Sequence, residues 1–222
     1  MNIWAIVPVK PFNRAKSRLA TDLLPDQRER LASALFVRTV KLLVAQSNIQ
    51  GVLVVSRDTK ALSMARDMGA QTVQESGNPE LNSALYRATQ VSRMWGAEAT
   101  LVVPADIPLL HEDDIAAMLN LGQYHNSVVI APDRHEHGTN MLLVHPPGLI
   151  PYSFGHESFA THQRLAQENN ANISLYRSAR VSLDIDTPTD LVDYAELAKL
   201  LEEPMIEALE EWPVTRESTL TP

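Results

Sequence analysis

At 222 residues the chain is long enough for one domain with a substantial core. It contains no cysteine, which excludes disulfides, zinc–thiolate sites and thiol catalysis, and its 19 basic against 27 acidic residues leave a net charge of −8 that argues against a polynucleotide partner. No apolar run is long enough to span a bilayer, and Met1-Asn2-Ile3-Trp4 enters a strand-like run with no leader pattern, so a cytoplasmic protein with no membrane or nucleic-acid partner is expected.

Apolar, β-branched runs then alternate with helix-period segments. Ile3 to Val9 reads as a first strand, and Asp26 to about Gln46 as a helix. That helix has Leu31, Ala34, Leu35 and Leu42 on one arc and further apolar residues outside it, a girth that would permit a homodimer. Gly51 to Ser56 is a second strand, followed by a helix with Ala61, Met64, Ala65 and Met68 at core spacing. Gln71 to Glu75 is a short strand. Leu81, Ala84, Leu85 and Ala88 mark a third helix, and Thr100 to Val103 a buried strand. A helix from about Glu112 to Leu121 precedes the strands Val128 to Ala131 and Asn140 to Val144. After a Pro-rich turn come a helix from about His156 to Glu168, strands Ile173 to Tyr176 and Ser182 to Asp186, and a last helix with Leu191, Tyr194, Ala195 and Ala198. The order implies βαβ units and an α/β fold, a mostly parallel sheet covered by helices on both faces. Residues 1–202 read as a single domain and 203–222 as a tail with a short helix around Met205 to Glu210.

Sheets of this kind place ligands at the carboxyl ends of their strands. The first strand runs into Val7-Pro8-Val9-Lys10-Pro11 and then Arg14, Lys16 and Arg18. A phosphate loop at this position normally relies on glycine. Here four cations within nine positions take that place, and Lys and Arg can hold a triphosphate and stabilise a departing pyrophosphate. Asp106 ends the strand Thr100 to Val103. Asp184 and Asp186 point to one side of their segment if it is extended. Three such carboxylates, with phosphate oxygens and water, would form a hard-oxygen Mg2+ site. Thr187, Pro188 and Asp190 form a helix start, so Asp190 is structural. Gly138-Thr139-Asn140 and Phe154-Gly155-His156-Glu157-Ser158 offer amides, hydroxyls and a helix start suited to a phosphate. Each has a plainer reading as a solvated loop, a turn or a cap. His135 and His137 read as a solvated loop, His162 as a packed or capping histidine, and Trp4, Trp95 and Trp212 as too scattered to form a stacking platform.

Taken together, VPVKPFNRAKSRL, ELNSAL, VPADIPLL, DR with GTNMLL, SFGHESFATH and LDIDTPTDL resemble the 2-phospho-L-lactate guanylyltransferase family over roughly Ile3 to Leu201. The resemblance implies a Rossmann-like GT-A nucleotidyltransferase fold. It also implies transfer of GMP from GTP to 2-phospho-L-lactate, phosphoenolpyruvate or a phosphoglycerate, with release of pyrophosphate, on the route to coenzyme F-420. Position by position, it implies Asp106, Asp184 and Asp186 as Mg2+ ligands and Thr139, Gly155 and Ser158 as contacts to the acceptor phosphate. The AKSRL loop, with Lys16 and Arg18 as catalytic cations, would face GTP together with Pro8, Lys10, Leu81, Asn82 and Ser83. One departure is Arg134-His135-Glu136-His137, where many members carry a more glycine-rich loop. Two competing readings stay open. One is a nucleotidyltransferase for a sugar phosphate or molybdenum-cofactor precursor, which would usually carry a glycine-rich first loop. The other is an inactive nucleotide-binding regulator, which would not need all three aspartates.

Overall fold

The computed structural model describes residues 1–77 and 80–209. Strands β1 (Ile3–Val9), β2 (Gly51–Ser56), β3 (Gln71–Gln74), β4 (Ala99–Val102), β5 (Ser127–Pro132), β6 (Thr139–His145) and β7 (Asn172–Leu175) form one seven-stranded sheet in the order 3-2-1-4-6-5-7. All neighbouring pairs are parallel except those made by β6, which runs antiparallel to both β4 and β5. The helices are α1 (Pro25–Val44), α2 (Thr59–Asp67), α3 (Leu81–Met94), α4 (Glu112–Leu121), α5 (Ser158–Glu168) and α6 (Pro188–Leu200).

The period-two alternation of the central strands divides the core in two. From β1, Ile3, Ala5 and Val7 face one layer, and Trp4 and Ile6 the other. The first layer is closed by Phe36, Val40 and Leu43 of α1, Ala61 and Ala65 of α2, and Ile115 and Met118 of α4. The second is closed by Ala84, Leu85 and Ala88 of α3 and Phe159 and Ala166 of α5. Each fully buried aliphatic side chain contributes about 1.5–3 kcal/mol, so the sheet is held firmly where its ends must present chemistry. The chain leaves β1 over one face and reaches β4 from the other. The crevice beyond the carboxyl ends of these two adjacent strands is therefore the topological switch point.

A third core explains the broad apolar girth of α1. Its Leu31 and Leu35 pack with Leu191, Tyr194 and Ala198 of α6 and with Leu183, Ile185 and Leu209. The chain after α6 folds back here: the Ile206 amide donates to the Tyr194 hydroxyl at 2.8 Å, and Glu207–Leu209 forms a single 3-10 turn where a short helix was expected. Glu210 and Trp212 lie outside the described residues.

Two expectations are corrected. Ser182 to Asp186 is not a strand, because it joins no sheet; the Ile185 amide donates to the Asp106 carbonyl at 3.0 Å, the Ser182 amide to the Ser178 carbonyl at 2.9 Å, and the Ser182 carbonyl accepts from the Arg134 amide at 3.0 Å. Trp4 and Trp95 are not scattered: their ring centroids are 4.9 Å apart. They pack at the amino end of the sheet beside Gly51, where an added Cβ would come within 2.6 Å of the Trp4 ring. That position needs glycine for space.

Candidate active site

A cleft of about 680 Å3 opens at the switch point. Its first wall is the loop after β1, which holds its shape without glycine. Phe12 and Leu19 are buried and anchor the two single 3-10 turns Phe12–Arg14 and Ser17–Leu19. The Phe12 amide donates to Asp58 Oδ2 at 2.9 Å, while Asp58 Oδ1 caps α2 by accepting from the Lys60 amide, also at 2.9 Å. Between the turns stands Lys16, with φ 54° in the left-handed region. A side chain there costs roughly 1–2 kcal/mol, and such strain gathers at functional sites. The Lys16 side chain is only 7% exposed, and its Nζ lies 3.0 Å from Asp106 Oδ2 and 4.0 Å from Asp186 Oδ1. Pro8, Lys10 and Arg14 line the same cleft. Arg18 does not; it reaches Asp186 Oδ2 at 2.9 Å from a largely exposed position.

The second wall is acidic. β4 ends before Pro104-Ala105-Asp106, and buried Ile107, Leu109 and Leu110 hold the turn from behind. Leu183 and Ile185 drop into the third core, which turns Asp184 and Asp186 towards the cleft. The one-sided placement expected of this pair therefore holds without a strand. Burial, then repulsion from the Asp106 charge, pushes the Asp184 carboxyl up to about 6, although Lys16 opposes the shift. Among the described residues no three acidic or histidine side chains converge closely enough to hold a metal ion as they stand. The donor chemistry still fits a hard cation: three carboxylates share one cleft with a single lysine held against them, and at Asp184 burial together with the Asp106 charge outweighs the opposing Lys16 ammonium.

The third wall faces these charges. Asp133 organises the β5–β6 loop, its carboxylate accepting from the amides of His135, His137 and Gly138 at 2.8–3.0 Å. A Cβ at Gly138 would come within 2.7 Å of Asp133 Oδ2, so the glycine permits this close approach. The loop delivers Thr139 and Asn140 to the cleft, and Asn140 Nδ2 donates to the Val181 carbonyl at 2.8 Å and lies 3.5 Å from Asp184 Oδ1. Gly155, at φ 135°, adopts a backbone that side chains rarely tolerate. Ser158 opens α5, is 2% exposed, and lines the cleft beside it. The Phe159 amide donates to the His137 carbonyl at 3.1 Å, which ties the two loops together.

Asp106, Asp184, Asp186, Thr139, Gly155, Ser158, Pro8, Lys10, Lys16 and Leu81 are thus brought to one cleft. Asn82 and Ser83 are not; they line a neighbouring hollow of about 950 Å3 beside α3, whose charged residues are Glu80 and Arg87 and which none of the three aspartates or Lys16 reaches. Asn82 is engaged at both ends of its amide, accepting from the Phe154 amide at 2.7 Å and donating to its carbonyl at 3.1 Å. Asp133, Asn140 and the bracing role of Asn82 were not read from the sequence; for Asn140 the signal was its place in Gly-Thr-Asn. Asp190 is structural as expected: it accepts from the amides of Asp186 and Thr187 and pairs with Arg134.

A family profile described as "Guanylyl transferase CofC like" matches residues 3–196. The chain belongs to this family. It is 38% identical over 191 residues to the phosphoenolpyruvate guanylyltransferase of Rubrobacter xylanophilus, covering 86% of this chain and 92% of that protein. It is 34% identical over 191 residues to the 2-phospho-L-lactate guanylyltransferase of Methanothermobacter thermautotrophicus, covering 86% and 83%. Among solved structures, a candidate nucleotide-diphospho-sugar transferase from Desulfovibrio desulfuricans superposes with a TM-score of 0.72 at 16% identity, covering 90% of this chain and 89% of that one. A nucleotidyl transferase from a Methanothermobacter superposes with a TM-score of 0.66 at 15% identity, covering 90% and 99%. The fold is therefore the Rossmann-like nucleotidyltransferase fold, and the cleft of this CofC-like chain lies where that fold keeps its ligands.

Proposed function

We propose that the chain transfers GMP from GTP to the phosphate of a three-carbon phospho-acid and releases pyrophosphate, on the route to coenzyme F-420. Phosphoenolpyruvate is placed first as acceptor, because the more similar of the two curated relatives above carries that name, with 2-phospho-L-lactate and 3-phosphoglycerate as the other candidates. The observation that carries this reading is the opposition, across one cleft, of the Lys16–Asp106–Asp184–Asp186 charges and the Thr139–Gly155–Ser158 wall. The nucleophile is an acceptor phosphate oxygen that is already ionised, so no general base is required. It attacks the α-phosphorus of GTP, the bond to the bridging oxygen breaks, and pyrophosphate leaves with that electron pair.

The chain's part is to bring two anions together and orient them. Lys10, Arg14 and Lys16 answer triphosphate charge, Lys16 turning from Asp106 towards the phosphates. Thr139 and Ser158 donate their hydroxyls, and Gly155 its amide, to the acceptor phosphate. Pro8 and Leu81 flank the nucleotide. Asp106, Asp184 and Asp186 would hold a divalent cation, Mg2+ in this reading, which when bound supplies further charge neutralisation at the phosphates.

The test is pyrophosphate release by purified protein with Mg2+, GTP or ATP, and each of the three acceptors. GTP should exceed ATP in kcat/KM by at least about a hundredfold, as expected where a base edge is read by paired polar groups. Equal use of both nucleotides would sink the guanylyl assignment.

A further inference from the structure

Behind the acceptor wall lies a buried histidine that the reaction above does not use. His162, on the second turn of α5, is fully buried. Its Nε2 accepts a hydrogen bond from the Ser153 amide at 3.0 Å. A backbone N–H can only donate, so Nε2 carries no proton and the ring proton of the neutral form resides on Nδ1. Nδ1 lies 2.9 Å from Thr139 Oγ1. The Thr139 hydroxyl therefore accepts from the ring, and its own proton is left to donate elsewhere, on a residue that lines the cleft. The Phe154 ring stands edge-on to the imidazole at 5.0 Å between centroids. Burial holds the ring well below its ordinary range, at about 4, so it stays neutral at physiological pH.

From this geometry we propose that His162 is a positioning residue for the acceptor phosphate: as the Nδ1–H tautomer it orients the Thr139 hydroxyl as a donor and ties Thr139 to the backbone that carries Gly155. The inference deepens the proposed function and rests on its assignment of the acceptor site. One ring thus couples β6 to the loop before α5, so that two contacts from different parts of the chain meet one phosphate in register. Asn82 braces the same loop from α3 through Phe154.

Two measurements test it. The first is the tautomer, read by nitrogen-15 NMR on the resting protein at pH 7 without nucleotide; an Nε2–H or doubly protonated ring overturns the proposal whatever the enzyme does. The second is kinetics and direct phosphoenolpyruvate binding by calorimetry. His162→Leu should raise the phosphoenolpyruvate KM and Kd about tenfold or more while the GTP KM stays within about twofold. His162→Asn, whose amide nitrogen can occupy the Nδ1 position, should recover most of that loss. Adding His162→Leu to Thr139→Val should cost little more than Thr139→Val alone, because the two act as one unit. Full additivity, or equal rises in both KM values, means that His162 only supports the fold, and overturns the positioning role. Absence of turnover by the wild-type protein with GTP and every acceptor would count against the guanylyl reading, whereas an Nδ1–H ring would still support the hydroxyl orientation.

Discussion

Lys16 concentrates the site's electrostatics in one side chain. It adopts a strained backbone, is nearly buried, and balances Asp106 at 3.0 Å with Asp186 just beyond. A nearly buried cation against these carboxylates offsets part of the negative charge that the resting cleft carries, a charge of the same sign as both substrates. Ligand binding then exchanges partners, since phosphate oxygens can take over the ammonium. The carboxylates give the sharper test of the mechanism. Asp184→Asn or Asp186→Asn preserves side-chain size but removes a charge and one hard oxygen. Turnover should fall at least about a hundredfold, near 2.7 kcal/mol of transition-state stabilisation. Steady-state kinetics on both variants, with circular dichroism to confirm folding, checks this. If both kept near-normal turnover, the cation site and the mechanism built on it would have to be abandoned, since Asn serves a merely structural turn almost as well as Asp.

At the scale of elements, the cleft depends on loops held by partners distant in sequence. Asp114, in the first turn of α4, is completely buried and accepts from the Tyr176 and Ser178 hydroxyls at 2.7 Å and from Arg180 Nε at 2.8 Å. Burial alone would raise its carboxyl, but the hydrogen bonds from Arg180, Ser178 and Tyr176 outweigh it and hold the group below the usual range. These bonds fix the approach of the chain to Leu183–Asp186. Asp114→Asn should therefore cost roughly 2–4 kcal/mol, because Arg180 loses its charged partner and at least one donor is left unmet. It should also lower turnover with a smaller effect on the GTP KM. Urea unfolding and kinetics on one preparation check both, and unchanged stability would show that water replaces the carboxylate. Such contacts mark the limit of what the sequence discloses. The helices and most strands were legible because their apolar spacing is local. So was the orientation of Asp184 and Asp186, since Leu183 and Ile185 alternate with them into a core. Alternation alone cannot identify a strand, however, because a strand also needs a neighbouring edge, and here the backbone bonds of the segment go to separate loops at Asp106, Arg134 and Ser178. Asn82 and Phe154 are 72 positions apart, and Asp114 and Arg180 are 66 apart. No periodicity links them.

Across the whole molecule, two groups, the fully buried His162 and the half-buried Asp184, titrate in opposite directions on the acid side of neutrality. His162 falls from 6.5 to about 4 through burial, and Asp184 rises from 3.8 to about 6 through burial and then the Asp106 charge. As pH drops from about 6.5 to 4, the unfolded chain takes up a proton on the histidine that the folded chain refuses, so this group makes folding less favourable. As pH drops from about 6 to below 4, the folded chain takes up a proton on Asp184 before the unfolded chain does, so this group makes folding more favourable. The two slopes oppose each other in one window, and the metal-free wild-type protein should change little in stability through them. Asp184→Asn removes one slope and leaves the other. At pH 7 to 8 the variant should be more stable than wild type, by a few kcal/mol at most and several degrees in Tm, because a partly desolvated, repelled charge is gone. That advantage should shrink as pH falls through 6 and vanish near 4, where the wild-type carboxyl is itself protonated. Thermal melts of both proteins in chelator across pH 4 to 8 read the difference directly. A gain that does not vary with pH would show that the substitution acts through packing and that the Asp184 carboxyl carries no unusual charge penalty.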